Sequence, residues 1–163
     1  MLTLKRVSGR LRELLLGRTQ AGAVTDRSKG SAKLLVVDDE ESICFSMSEY
    51  FSQHGFKVDT ARELEEAEGL IKETDYQVII QDLRLGLDPR PDGLEIIKLV
   101  HAQNPETRIV VLTSYGSPEV EAQARRAGAD AFLRKPKPLS QVAQVVEGLI
   151  ESPRTRTASA RQL

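Results

Sequence analysis

Four apolar runs in this chain stop at groups that can do chemistry. Leu34-Leu35-Val36-Val37 ends in Asp38-Asp39, Val78-Ile79-Ile80 leads through Gln81 to Asp82, Ile109-Val110-Val111-Leu112 ends in Thr113, and the run from Ala129 to Leu133 leads through Arg134 to Lys135. A carboxylate at the end of a buried run costs desolvation energy unless it has a partner. Three such carboxylates on one rim would repel each other unless a cation joined them. Carboxylate oxygens suit Mg²⁺, which takes one or two carboxylates and keeps its other positions for water, carbonyl and phosphate oxygens. Zinc fits less well, because no nearby set of His and Cys offers nitrogen or sulfur ligands. Lys135 adds a cation and Thr113 a hydroxyl. Together these are the parts of a phosphoryl-transfer site: charge to neutralise phosphate oxygens, a hydroxyl to bond one, and a carboxylate nucleophile.

Those groups meet only if the runs are neighbouring parallel strands. Leu34 to Val37 is short and unbroken, as in a strand buried on both faces, the other runs read as strands too, and helical stripes lie between and after them. The stripes are Ile43, Met47, Tyr50 and Phe51, then Leu64, Ala67, Leu70 and Ile71, then Leu94, Ile97, Leu99 and Val100, and finally Val142, Val145, Val146, Leu149 and Ile150. Phe56 to Thr60 alternates like an edge strand, and Ser117-Pro118-Glu119 opens a helix that Gly128 closes. Five β-α units predict an α/β fold: a five-stranded parallel sheet, doubly wound as (βα)5, with its functional loops at the carboxyl ends of the strands. Four of the five ends carry polar or charged groups; the second strand ends in Thr60-Ala61.

The 163 residues suit one domain with tails. With 40% apolar, 29% charged and 4% aromatic residues, an aliphatic core in a soluble protein is expected. No run approaches the roughly 18 apolar residues of a membrane span. The single cysteine, Cys44, allows no internal disulfide, so a cytoplasmic location is expected. The net charge of −1 conceals an acidic body, −9 from residue 34 to 150, between ends of +6 and +2.

The fragments VVDDE, VIIQDLR, VVLTSYGS and AFLRKP, in this order and on these strand ends, resemble the receiver domains of two-component response regulators over about residues 33–150. The resemblance implies a flavodoxin-like receiver fold in which Asp82 accepts a phosphoryl group from a histidine kinase or a phosphotransfer protein. It implies that Asp39, Asp82 and the backbone carbonyl of Arg84 ligate Mg²⁺, with Asp38 acting through bound water. Thr113 would bond the phosphoryl group and Lys135 pair with it, while Pro136 would follow a cis peptide bond. Phe132 takes the place of the switch aromatic, expected to turn inward as Thr113 moves toward the phosphate and so signal to a downstream protein partner. Arg84 and Tyr115 fall beside the route of hydrolytic water, and slow self-dephosphorylation is expected.

One stretch departs from the family. From its phosphoacceptor the pattern usually reaches Asp-Gly in about eight steps through a Pro, whereas here Asp82 to Gly93 takes eleven and Gly86 stands in the place of the Pro. The lengthened loop, 83–92, is either harmless surface variation or a device for kinase choice or for shielding the acyl phosphate. The thirteen residues after Ile150 are too few for a DNA-binding or catalytic output module, so a receiver acting alone, without nucleic-acid binding, is expected. Two other readings stand beside it: an α/β metal-dependent phosphohydrolase with an Asp nucleophile, and a receiver-like interaction module that is never phosphorylated. Arg84 counts against the hydrolase, which needs an acid two residues after its nucleophile. The complete set of acids with Thr113 and Lys135 counts against the module.

Residues 1–18 interleave Leu2, Leu4, Val7, Leu11, Leu14 and Leu15 with five basic residues. Such a segment suits contact with an anionic membrane or a partner helix, or folds back on the acidic body. Residues 1–32 thus form a basic extension, 33–150 the receiver and 151–163 a basic tail expected to be disordered. Cys44 is expected to pack without a chemical role, and His54 and His101 have no partners at ligand spacing.

Overall fold

The runs at 34–37, 78–80 and 109–112 are buried on both faces and pair through their main-chain N–H and C=O groups, and the half-buried run ending at Leu133 joins them at the edge of the sheet. The computed structural model describes residues 32–86 and 93–154. The basic segment 1–18, the rest of the extension to residue 31, residues 87–92 of the lengthened loop and the tail from residue 155 lie outside the described residues. The elements run β1 (Lys33–Val37), α1 (Glu41–Gln53), β2 (Lys57–Ala61), α2 (Leu64–Glu73), β3 (Val78–Gln81), α3 (Gly93–Gln103), β4 (Arg108–Thr113), α4 (Pro118–Ala127), β5 (Ala131–Arg134) and α5 (Leu139–Glu151).

All pairings are parallel, in the order β2-β1-β3-β4-β5. The order reverses between β1 and β3, which places a crevice at their carboxyl ends, beside Asp38 and Asp82. Alternate strand residues face opposite layers. Leu35, Val37, Ile79, Ile109 and Val111 pack with Ala67, Ile97 and Ala124 on the side of α2, α3 and α4. Leu34, Val36, Val78, Ile80 and Val110 pack with Met47, Phe51 and Val142 on the side of α1 and α5. Full burial of each such aliphatic side chain stabilises by roughly 1.5–3 kcal/mol, enough to hold both layers on the sheet.

The helical stripes are inward as expected, and Ile96 and Ala143 join the buried set. Ser117 caps α4 by accepting a hydrogen bond from Val120 N at 3.3 Å, and that hydroxyl also holds the Glu119 carboxyl below its ordinary range. The fifth strand begins at Ala131 rather than Ala129, because Asp130 is engaged before the ladder starts: its Oδ2 accepts from Ile109 N at 2.9 Å. The first residues of the basic tail are also placed. Arg154 donates to the Thr107 carbonyl at 3.4 Å and to Asp130 Oδ2 at 3.3 Å. Among the described residues no helix is long and apolar enough to cross a membrane.

Candidate functional site

The parallel ladder continues one residue beyond three strands. Asp38 N donates to Ala61 O at 3.0 Å, Asp82 N to Val37 O at 2.9 Å, and Lys135 N to Thr113 O at 3.0 Å. Each chemically active residue is therefore fixed at its main chain while its side chain projects past the edge of the sheet. The rim predicted from sequence forms: carboxylate oxygens of Asp38, Asp39 and Asp82 lie within 4.8 Å of one another. Asp38 and Asp82 are buried and Asp39 half-buried.

Lys135 bridges two of the acids, with Nζ 2.6 Å from Asp38 Oδ2 and 2.9 Å from Asp82 Oδ2. Glu40 stands further out, 3.7 Å from the same nitrogen. Thr113 is fully buried and donates its hydroxyl to Asp82 Oδ1 at 2.7 Å, and Arg84 N donates to that oxygen at 3.2 Å. Burial pushes the Asp38 carboxyl above its ordinary range, against the pull of the Lys135 hydrogen bond and the Glu40 N–H. Burial disfavours the Lys135 ammonium too, but its hydrogen bonds to Asp38 and Asp82 outweigh it and raise its pKa. Around Asp82, then, three carboxylates face one ammonium. The surplus is negative, and the donor set is hard oxygen, which fits Mg²⁺.

The peptide bond between Lys135 and Pro136 is cis, as expected. Phe132 is half-buried on β5 and packs against the core on the side of α2, α3 and α4. Tyr115 is 40% exposed, its ring 3.6 Å from the Arg84 guanidinium carbon, and its N–H bonds Thr113 Oγ1 at 3.1 Å. Arg84 and Tyr115 thus form one stacked pair at the mouth of the site. Arg84 Nε is buried without a hydrogen-bond partner among the described residues. The structure brings together Asp38, Asp39, Asp82, Arg84, Thr113, Tyr115 and Lys135.

Three contacts at the rim have no counterpart in the sequence reading. Gly86 has φ of 81° and donates its N–H to Asp39 Oδ2 at 3.1 Å; a proline there has neither that conformation nor that hydrogen. Arg62, just past the end of β2 that looked empty, donates Nε and an Nη to the Asp39 carbonyl, each at 3.2 Å. Cys44 is buried and donates its thiol to the Asp38 carbonyl at 3.2 Å, and burial raises its pKa. Arg62 directly follows a strand end, which is a legible signal. The Gly86 and Cys44 contacts are tertiary and leave none. At the far end of the lengthened loop, Gly93 lies so close to the chain after β3 that a Cβ there would come within 2.5 Å of the Asp82 carbonyl oxygen.

Residues 34–147 match the family model described as the response regulator receiver domain. The chain is 31% identical over 114 residues to the response regulator protein PilR of Pseudomonas aeruginosa, across 70% of this chain and 25% of that relative. It therefore spans about a quarter of that protein's length. Among solved structures, it is similar to a beryllofluoride-activated NtrC4 receiver domain dimer, with 34% identity, a TM-score of 0.66 and coverage of 73% of this chain and 96% of that one. It is also similar to a response regulator protein from Burkholderia pseudomallei with a phosphorylated aspartic acid, a calcium ion and citrate. There the identity is 30%, the TM-score 0.64 and the coverage 74% and 75%.

Proposed function

Because this chain belongs to the response regulator receiver domain family, we propose that Asp82 accepts a phosphoryl group from a partner histidine kinase or phosphotransfer protein in the cytoplasm, and that the modified chain signals to a downstream protein. Receiver domains are signalling domains, and the chemistry proposed here is phosphorylation and dephosphorylation of the chain itself. One observation carries the reading: Asp82 lies 2.7 Å from the Thr113 hydroxyl and 2.9 Å from Lys135 Nζ, in a rim with surplus negative charge. The phosphorylated aspartic acid and calcium ion of the Burkholderia relative support it.

In the proposed step, an Asp82 oxygen attacks phosphorus as the bond to the donor's imidazole nitrogen breaks. That nitrogen keeps the bonding pair and takes up a proton, leaving an acyl phosphate on Asp82. Asp39, Asp82 and the Arg84 carbonyl would hold Mg²⁺, with Asp38 acting through water; the ion would supply charge that neutralises phosphoryl oxygens. Lys135 turns from the carboxylates to a phosphoryl oxygen. Thr113 is already aimed at Asp82, so its hydroxyl reaches the new oxygens by a short shift. That shift draws in the loop carrying Tyr115, and Phe132 turns further inward, reshaping the face of α4, β5 and α5 for a partner that binds one shape better than the other. The stacked Arg84 and Tyr115 screen the acyl phosphate from water.

Incubation with Mg²⁺ and acetyl phosphate tests the reading. Intact-mass spectrometry is expected to show one phosphoryl adduct, absent from Asp82→Asn. Sustained turnover of a phosphoester would point to a phosphohydrolase, and no adduct at all would leave a binding module.

A further inference from the structure

Asp39 is the least buried of the three clustered acids, yet it is gripped at two points, by the chain after β2 and by the chain after β3. Its side chain accepts from Gly86 N, in the chain leaving β3, and its carbonyl accepts both arms of Arg62, in the chain leaving β2. Arg62 is anchored in turn: its guanidinium reaches Glu41 Oε2 at 3.4 Å and its backbone N–H donates to Glu66 Oε2 at 2.8 Å. An open cleft of about 700 Å³, lined by Asp39, Arg62, Glu66, Leu85 and Gly86 among others, lies directly against these contacts. Groups that hold a ligand carboxylate in place govern how well it binds, and their loss typically weakens metal affinity 10–100-fold.

We propose that Gly86 and Arg62 are positioning residues for Asp39, and that through it the loops after β2 and β3 set the affinity of the rim for a divalent cation. The inference rests on the receiver reading above. Gly86 acts through its N–H and its left-handed backbone, which together aim that hydrogen at Asp39 Oδ2. Arg62 acts through a two-armed contact on one carbonyl, which a single ammonium does not reproduce.

The test is a titration of the full chain with Mg²⁺ alone, at fixed ionic strength and without phosphodonor, followed through backbone amide shifts around Asp82. Gly86→Pro removes the N–H and forbids the positive φ, and is expected to weaken binding about tenfold. Gly86→Asn keeps the N–H and tolerates the left-handed region, and nothing among the described residues lies within 4 Å of the added Cβ, so it is expected to stay within about twofold of the parent. Arg62→Lys keeps the charge and loses the fork, and is expected to weaken binding about threefold. Parent-like affinity in both Gly86→Pro and Arg62→Lys would overturn the proposal, as would a Gly86→Asn chain that binds as poorly as Gly86→Pro. If Gly86→Pro loses its folded spectrum, Arg62→Lys decides alone. A parent chain that does not respond to Mg²⁺ would overturn the receiver reading and this inference together, whereas a responsive parent with unchanged variants overturns only the positioning roles.

Discussion

Strand β4 carries an ionic cluster at each end, and the two are built oppositely. At its carboxyl end Thr113 borders three carboxylates and one ammonium; at its amino end Arg108 and Arg154 share the single carboxylate of Asp130, at 3.1 and 3.3 Å. The lower cluster is closed. Asp130 also accepts from Ile109 N, and the guanidinium groups donate onward to the carbonyls of Ser152 and Thr107, so planar donors and acceptors saturate each other. The upper cluster is left short of positive charge, and the cation paired with Asp38 and Asp82 is a Lys, a compact charge on a flexible stem that can change partners. Burying charge serves stability where it is balanced and chemistry where it is not.

If that contrast is right, stability and phosphorylation separate by end. The largest expected effect is from Asp130→Ala, which strands two arginines and should lower unfolding stability by roughly 3 kcal/mol in urea titrations while acetyl phosphate still labels Asp82. Asp82→Asn should do the reverse, abolishing labelling at a cost of no more than about 1 kcal/mol, because an amide still accepts from Thr113 and relieves repulsion with Asp38. Equal loss of stability in the two would break the contrast. Next, Thr113→Ala should cost about 1 kcal/mol and leave Asp82 labelled, but the amide shifts of Phe132 should no longer follow phosphorylation. Tyr76, near the lower end, comes third. Burial, then its 2.7 Å hydrogen bond to Asp59, pushes its hydroxyl well above its ordinary pKa. A raised pKa means the folded state holds the proton more tightly, so this contribution is whole below about pH 10 and fades as pH rises past it. Tyr76→Phe should be less stable by about 1 kcal/mol at neutral pH and fall less steeply above pH 10. Smallest is the Arg84→Ala, Tyr115→Ala double variant, whose phosphoryl adduct should decay about three- to fivefold faster by mass spectrometry, the equivalent of one exposed cation–π pair. An unchanged lifetime would remove the screening role.

The sheet and the upper rim were legible because both depend on local pattern. Short apolar runs announce parallel strands, and a parallel sheet brings Asp38, Asp82, Thr113 and Lys135 to one edge whatever the loops do. What stayed hidden depends on where loops fold back. Arg62 follows the strand end Thr60-Ala61 and was given no role, and Gly86 read as a bare departure from a Pro; only the folded chain shows both on Asp39. Asp130 read as part of a strand, because nothing in its neighbours reveals arginines arriving from positions 108 and 154. Cys44 was expected to pack, and it does, but its bond to the Asp38 carbonyl ties the helix to the rim in a way no spacing discloses.

The extension of the ladder by one residue has a consequence in time as well as space. The amide hydrogens of Asp38, Asp82 and Lys135 are held by carbonyls of the sheet, so they are expected to exchange with solvent on the timescale of the core. Tyr115 N bonds a side-chain hydroxyl and Gly86 N a carboxylate rather than a carbonyl of the sheet, so theirs are expected to open with local loop motion. Fast and slow protons thus lie side by side around one carboxylate: the anchor points of the reaction keep still while the groups that admit or exclude water come and go.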